Sequence, residues 1–274
     1  ETSKEGKMIE KIVVSDLDGT LLNEESEVSN FSKEVILKFT QNGGKFYIAT
    51  GRAYPDAKRI IGEIGIKVPV ITANGAVIND ENGTEIYRND LEKMVSDDVL
   101  EIDYLEVSEK IHMNIYSNNK WYVEDPIRQV NPFEDEPHFR FEVLTREEIS
   151  EISITKFFFI GHHKDLLKLE RIILDKLEDK VNVAFTHPEC LEVFDIEVTK
   201  ANAIKKLSII EKFDIKNVVA FGDGFNDYEM LQSVGKGYVM GNAHYKLKEA
   251  LPHNEIIETN HEDGVAKKII EIFS

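Results

Sequence analysis

Asp16 and Asp18 stand two residues apart where the β-branched run Ile12-Val13-Val14-Ser15 meets the turn former Gly19. In an extended chain residues i and i+2 project to the same side, so the two carboxylates are expected to face one pocket at the end of a strand. Two carboxylates held together repel, which calls for a shared proton or a cation between them, with Mg²⁺ the hard, oxygen-seeking ion that would suit such donors. A cation would need a further carboxylate, and Phe221-Gly222-Asp223-Gly224-Phe225-Asn226-Asp227 repeats the design of an apolar run ending in glycine and acids. A single Asp-Gly pair is an ordinary turn. Two acid-rich strand ends in one chain point instead to a site.

Two other positions fit such a site. Phe46-Tyr47-Ile48-Ala49-Thr50-Gly51-Arg52 reads as a strand ending in a hydroxyl, a glycine and a cation. Thr50 could donate its hydroxyl and Gly51 its unhindered N–H to a phosphate oxygen, in front of a helix N-terminus. Lys200 opens a helical stretch, where the helix dipole does not favour a cation. Directed into a polyacid pocket, it could neutralise a phosphoryl group as charge develops in a transition state.

The elements that must position these residues alternate. Ile12–Ser15, Lys45–Ala49 and Val70–Thr72 read as strands, with helices from about Ser32 and over Tyr54–Ile64 between them. That rhythm implies an α/β fold, a Rossmann-like doubly wound parallel sheet. After Asn74-Gly75 it changes: Ala76-Val77-Ile78 and Glu85-Ile86-Tyr87 flank Asn79 to Thr84 as a hairpin. A large α+β insertion is expected over 83–190, with strands at Ile111–Tyr116, Trp121–Val123, Ile154–Ile160 and Val181–Phe185 and helices near Lys93–Leu105 and Lys164–Leu177. The alternation resumes from Leu191, with a helix over Lys200–Phe213 presenting Ala203, Ile204, Leu207 and Ile210 on one face. The core is therefore expected in two pieces, 1–82 and 191–274, with the insertion as a cap over the carboxyl ends of the strands.

Composition narrows the partners. The chain has 274 residues and a formal net charge of −18, which opposes binding to nucleic acid or to an anionic membrane surface. No apolar run has the roughly 20 residues a membrane-spanning helix requires. Cys190 is the only cysteine, so no internal disulfide forms, and Glu1 to Glu10 lacks an apolar signal core. Both features make the cytoplasm the expected location. Cys190 is read as packing rather than as a nucleophile.

Taken in order, Asp16-Leu17-Asp18-Gly19-Thr20-Leu21-Leu22, Thr50-Gly51-Arg52, Lys200 and Gly222-Asp223-Gly224-Phe225-Asn226-Asp227 resemble the four motifs of the haloacid dehalogenase-like (HAD) superfamily of aspartate-nucleophile phosphotransferases. The large insertion between the second and third motifs, with Asn74-Gly75-Ala76, is similar to the Cof-type sugar-phosphatase branch. One departure is Ala201, where many Cof-type members have glycine after the lysine, and only a small backbone adjustment is expected from it. The resemblance implies that Asp16 attacks phosphorus and that Asp18 protonates the leaving oxygen and later deprotonates water. It implies Mg²⁺ held by the Asp16 carboxylate, the Asp18 backbone carbonyl and Asp223. Thr50, Gly51, Lys200 and Asn226 would hold phosphoryl oxygens, and Asp227 would orient Lys200 or a metal-bound water.

An acid-base at position 18 favours turnover of an aspartyl-phosphate over its accumulation. The expected activity is thus a Mg²⁺-dependent phosphatase acting on a small phosphorylated metabolite, a sugar phosphate or a related cofactor. A phosphomutase of the same superfamily and a non-catalytic metabolite-binding module are the alternatives. His112, Asn114, Tyr116 and Trp121 are candidates for substrate contact in the insertion, with core packing the first expectation for each. The sequence leaves oligomeric state open.

Overall fold

The computed structural model describes residues 11–125 and 140–273, and the polar segment 1–10 named above lies outside them. The chain divides into two compact units, one of residues 1–86 and 199–274, the other Tyr87–Val198.

The first unit is built on an eight-stranded sheet in the order Glu255–Ile256, Lys236–Val239, Val218–Gly222, Ile12–Ser15, Lys45–Ala49, Val70–Thr72, Val77–Asn79, Glu85–Arg88. The first six run parallel, and Val77–Asn79 turns back antiparallel on Val70–Thr72. Every residue of Ile12–Ser15 and Val218–Gly222 is buried, so both faces of the sheet are covered, as a parallel sheet demands. On one side Asn30–Gln41 packs on Gly264–Phe273, with Phe39 and Phe273 ring centroids 5.1 Å apart. Elsewhere Lys200–Glu211 packs on Tyr228–Ser233. Ile12–Ser15 lies between Lys45–Ala49 and Val218–Gly222, and the chain leaves these neighbours in opposite directions. Such a reversal opens a crevice at the carboxyl ends of the strands. Asp16, Thr50 and Asp223 each directly follow one of these three strands.

The second unit is a six-stranded sheet in the order Val181–His187, Cys190–Asp195, Lys156–Ile160, His112–Ser117, Lys120–Val123, Phe141–Val143. Its helices, Lys93–Leu100, Arg146–Glu151 and His163–Leu177 among them, share a core with alternate strand residues such as Met113, Ile115, Phe157, Phe159, Leu191 and Val193. The other alternation carries Asn114 and Trp121, both fully buried, with the Trp121 indole N–H donating to Asn114 Oδ1 at 2.9 Å. Tyr116 is buried too and its hydroxyl donates to Asn119. His112 is half-buried at the start of the same strand. Packing accounts for Asn114, Tyr116 and Trp121.

This unit departs from the expected boundaries of 83–190. Cys190–Asp195 pairs with Lys156–Ile160 on one side and Val181–His187 on the other, so Leu191 to Val198 belongs with the insertion, not the core. Phe141–Val143 and the capping-box helix Arg146–Glu151 were not expected. The expected helix Lys93–Leu105 ends at Leu100, and Asp103 restarts a short one by accepting the N–H groups of Leu105 and Glu106. In the first unit Ile210, expected on the buried face of its helix, is exposed.

Candidate active site

The strand Ile12–Ser15 ends with Asp16, whose N–H still bonds to Phe221 O at 3.1 Å, so its side chain sits at the junction with Val218–Gly222. The chain then coils into the tight turn Leu17–Leu21, closed by the Leu22 N–H on Leu17 O at 2.9 Å. Gly19 takes φ +70°, and a Cβ there would stand 2.2 Å from Asp223 Oδ2. Only glycine fits both demands. Thr20 donates its hydroxyl to Asp223 Oδ1 at 2.7 Å, tying the two acid-bearing strand ends together.

Asp16 Oδ1 accepts from the Leu17 N–H at 2.7 Å and from Lys200 Nζ at 2.9 Å. The same ammonium reaches Asp227 Oδ1 at 2.6 Å, and its side chain is 0% exposed. Asp227 is held on its other oxygen by the N–H groups of Asp223 and Gly224, both at 3.0 Å. Thr199 caps the helix Lys200–Glu211 by accepting the Asn202 N–H. Lys200 therefore starts that helix with its charge spent on two carboxylates rather than on the helix dipole.

Ligand oxygens of Asp16, Asp223 and Asp227 lie within 4.8 Å of one another. Burial pushes Asp16 well above the usual carboxylate range, reinforced by the Asp227 and Asp223 charges and opposed by Lys200. Burial, then Asp227, lifts Asp223 to about 6. Burial alone would lower Lys200, yet Asp16 and Asp227 outweigh it and hold the amine protonated. Ionising all three acids is therefore unfavourable with Lys200 as their single cation, and a further cation would relieve it. Oxygen donors with charge to spare suit a hard divalent ion. With Asp227 engaged by Lys200 and two amides, Asp16 and Asp223 are the carboxylates left to hold it.

The remaining expected residues line the neighbouring strand end. Thr50 is fully buried and its Oγ1 accepts the Arg52 N–H at 3.1 Å, which leaves its hydroxyl proton for another acceptor. Gly51 lies against Asn74, and Asn226 donates Nδ2 to Asn74 Oδ1 at 2.9 Å.

Asp18 was expected to face one pocket with Asp16, but the strand ends at Ser15, so the alternation of an extended chain does not set its direction. At 57% exposure the Asp18 carboxylate turns to Arg52, accepting Nε at 2.8 Å and the second guanidinium nitrogen at 2.6 Å. Arg52 is braced in turn by Asp56, in the first turn of Tyr54–Ile64. Arg52, Asn74 and Thr20 were read in motifs but not as site residues. Asn242 was missed altogether: its side chain donates to Gly19 O at 2.7 Å and accepts from the Asn260 N–H at 2.9 Å. For Asn74 the adjoining glycine was a signal of special backbone; for Asn242 the sequence holds none.

An α/β core of this topology, with a carboxylate strand end, a buried lysine and a second acid-rich strand end around one crevice, is shared with a class of hydrolases. Residues 13–269 match the haloacid dehalogenase-like hydrolase family, and the chain belongs to it. It is 38% identical over 263 residues to a protein of Buchnera aphidicola subsp. Baizongia pistaciae provisionally named a phosphatase, covering 96% of this chain and 98% of that one. Among solved structures it is similar to TM0651 of Thermotoga maritima, with 26% identity, a TM-score of 0.82, and 97% and 98% of the two chains covered. It shares its fold with BT4131, described as a HAD subclass IIB sugar phosphatase, at 21% identity and a TM-score of 0.78 over 95% and 98% of the chains. Among the described residues no helix is long and apolar enough to cross a membrane.

Proposed function

We propose that the protein is a Mg²⁺-dependent phosphatase that hydrolyses small phosphorylated metabolites, sugar phosphates or related cofactors, through an aspartyl-phosphate on Asp16. The observation that carries this reading is Asp16 itself, a buried carboxylate fixed by Leu17 N–H and by a fully buried Lys200. The name of the Buchnera relative agrees with the phosphatase part of it.

In this reading an Asp16 oxygen attacks phosphorus, forming a P–O bond to the carboxylate while the P–O bond to the leaving group breaks. Asp18, swung inward from the Arg52 pair in which it rests, gives its proton to the departing oxygen. Water then attacks the same phosphorus, Asp18 takes the water proton, and the P–O bond to Asp16 breaks to regenerate the free carboxylate. The Thr50 hydroxyl, the Gly51 N–H, Lys200 and Asn226 hold the phosphoryl oxygens, and Asp227 keeps Lys200 aimed. Asp16 and Asp223, with the Asp18 carbonyl, would hold Mg²⁺, which supplies screening between an anionic substrate and an anionic nucleophile. The insertion would act as the cap that selects the substrate.

Purified protein assayed with Mg²⁺ against a panel of phosphorylated metabolites should release inorganic phosphate. Asp16→Asn should stay folded and lose hydrolysis of p-nitrophenyl phosphate. Wild-type turnover by that variant would overturn the assignment, and isomerised hexose phosphate without free phosphate would replace the phosphatase by a mutase.

A further inference from the structure

Three successive residues, Ala73, Asn74 and Gly75, take φ of 48°, 56° and 105° at the end of Val70–Thr72. A left-handed conformation costs a residue with a Cβ on the order of 1 kcal/mol, and it persists only where surrounding contacts determine it. Here they do. Ala73 N–H bonds to Arg52 O and Asn74 N–H to Thr50 O, both at 3.0 Å. The strained turn is thereby laced to the Thr50-Gly51-Arg52 loop, and it sets Asn74, only 6% exposed, against that loop.

The side chain of Asn74 then meets Asn226. Asn226 Nδ2 donates to Asn74 Oδ1 at 2.9 Å. Two glycines make room for the pair: a Cβ on Gly51 would stand 2.9 Å from Asn74 Oδ1, and one on Gly224 would stand 2.6 Å from Asn226 Oδ1. The Asn226 amide is therefore fixed at both ends, its oxygen tucked against Gly224 and its nitrogen tied to Asn74. An amide nitrogen carries two protons, so one remains for an anion after Asn74 has taken the other. Released from Asn74, the amide could rotate and present its oxygen, which would repel a phosphoryl group.

We propose that Asn74 is a positioning residue for phosphoryl recognition, acting through Asn226 by setting which end of that amide faces the anion. The inference rests on the phosphatase reading above. It also gives the strained backbone a function, because an extended residue at position 74 would not follow the path that brings this side chain between Gly51 and Asn226.

The test is a double-mutant cycle of Asn74→Gly and Asn226→Ala, read by titration calorimetry of inorganic phosphate and by KM and kcat for p-nitrophenyl phosphate. Glycine accepts the left-handed backbone while removing the carboxamide with its Cβ. Asn74→Gly alone should weaken phosphate binding and raise KM roughly tenfold, as loss of one oriented hydrogen bond to a charged group does. In the Asn226→Ala background the same change should alter both by less than about twofold, since coupled residues are non-additive. Equal effects in both backgrounds, or an effect on melting temperature alone, would overturn the proposal. Should the glycine variant fail to fold, Asn74→Ala replaces it, Ala73 showing that the chain accepts alanine in this conformation. Wild-type protein that binds phosphate but hydrolyses no monoester would defeat the phosphatase reading and leave the coupling to be read from binding.

Discussion

At the scale of single residues, charge placement decides both stability and chemistry. Lys200 bridges two buried carboxylates from a position with no access to water and offsets one of their charges. Removing one member of such a buried set leaves the others uncompensated and costs roughly 3–5 kcal/mol. Lys200→Met should therefore lower stability by that order in urea denaturation as well as abolish activity, and adding Asp227→Asn should return part of the stability but none of the activity. Cys190 shows the opposite environment. Burial, and then the neighbouring Glu192 carboxylate, push its thiol up to about 11. The thiol thus stays protonated at pH 8, and alkylation by iodoacetamide should be slow there and quicken only as pH approaches 11. Rapid labelling at pH 8 in the folded protein would contradict that account. That Asp16 and Lys200 meet was legible because residue types at strand and helix ends suggest one pocket, whereas the nucleophile and acid-base roles of Asp16 and Asp18 came from the family resemblance. The partners of Asp18 and Asn226 were not legible, because Arg52 and Asn74 meet them only through side-chain rotamers and a left-handed turn that the folded chain imposes.

At the scale of elements, the site depends on how closely strand ends and turns approach. Gly75, at φ +105°, passes the N-terminus of the lysine-bearing helix so closely that a Cβ would lie 2.3 Å from Thr199 O. That atom is backbone and cannot swing aside. Gly75→Ala should cost about 1–3 kcal/mol of stability through overpacking and lower kcat by displacing Lys200. Unchanged kcat with lowered stability would show that the helix start does not aim the lysine. Parallel strands such as Ile12–Ser15 and Lys45–Ala49, and the helix Tyr54–Ile64 with Pro55 in its first turn, announce themselves in sequence because local pattern and burial agree. Cys190–Asp195 did not, since its place depends on pairing with Lys156–Ile160 and its Glu192 is buried only through an ion pair with Lys156.

At the scale of the whole molecule, the formal charge of −18 opposes the approach of any phosphomonoester. Around the site a bound Mg²⁺ with Lys200 and Arg52 would offset Asp16, Asp18, Asp223 and Asp227, so the field an ester meets is that of the acidic surface as a whole. Added salt screens that repulsion. With Mg²⁺ saturating, kcat/KM for a dianionic ester should rise modestly as KCl is raised from about 20 to 200 mM, and a steep fall would mean that an attractive field steers the substrate. In the proposed function an Asp16 oxygen receives the phosphoryl group. The most direct measurement is a borohydride quench of the intact enzyme during turnover, followed by peptide mass spectrometry. Reduction of an acyl-phosphate should leave homoserine at position 16 in the wild type and none in Asp16→Asn; turnover without homoserine at position 16, or with it at another aspartate, would contradict the account.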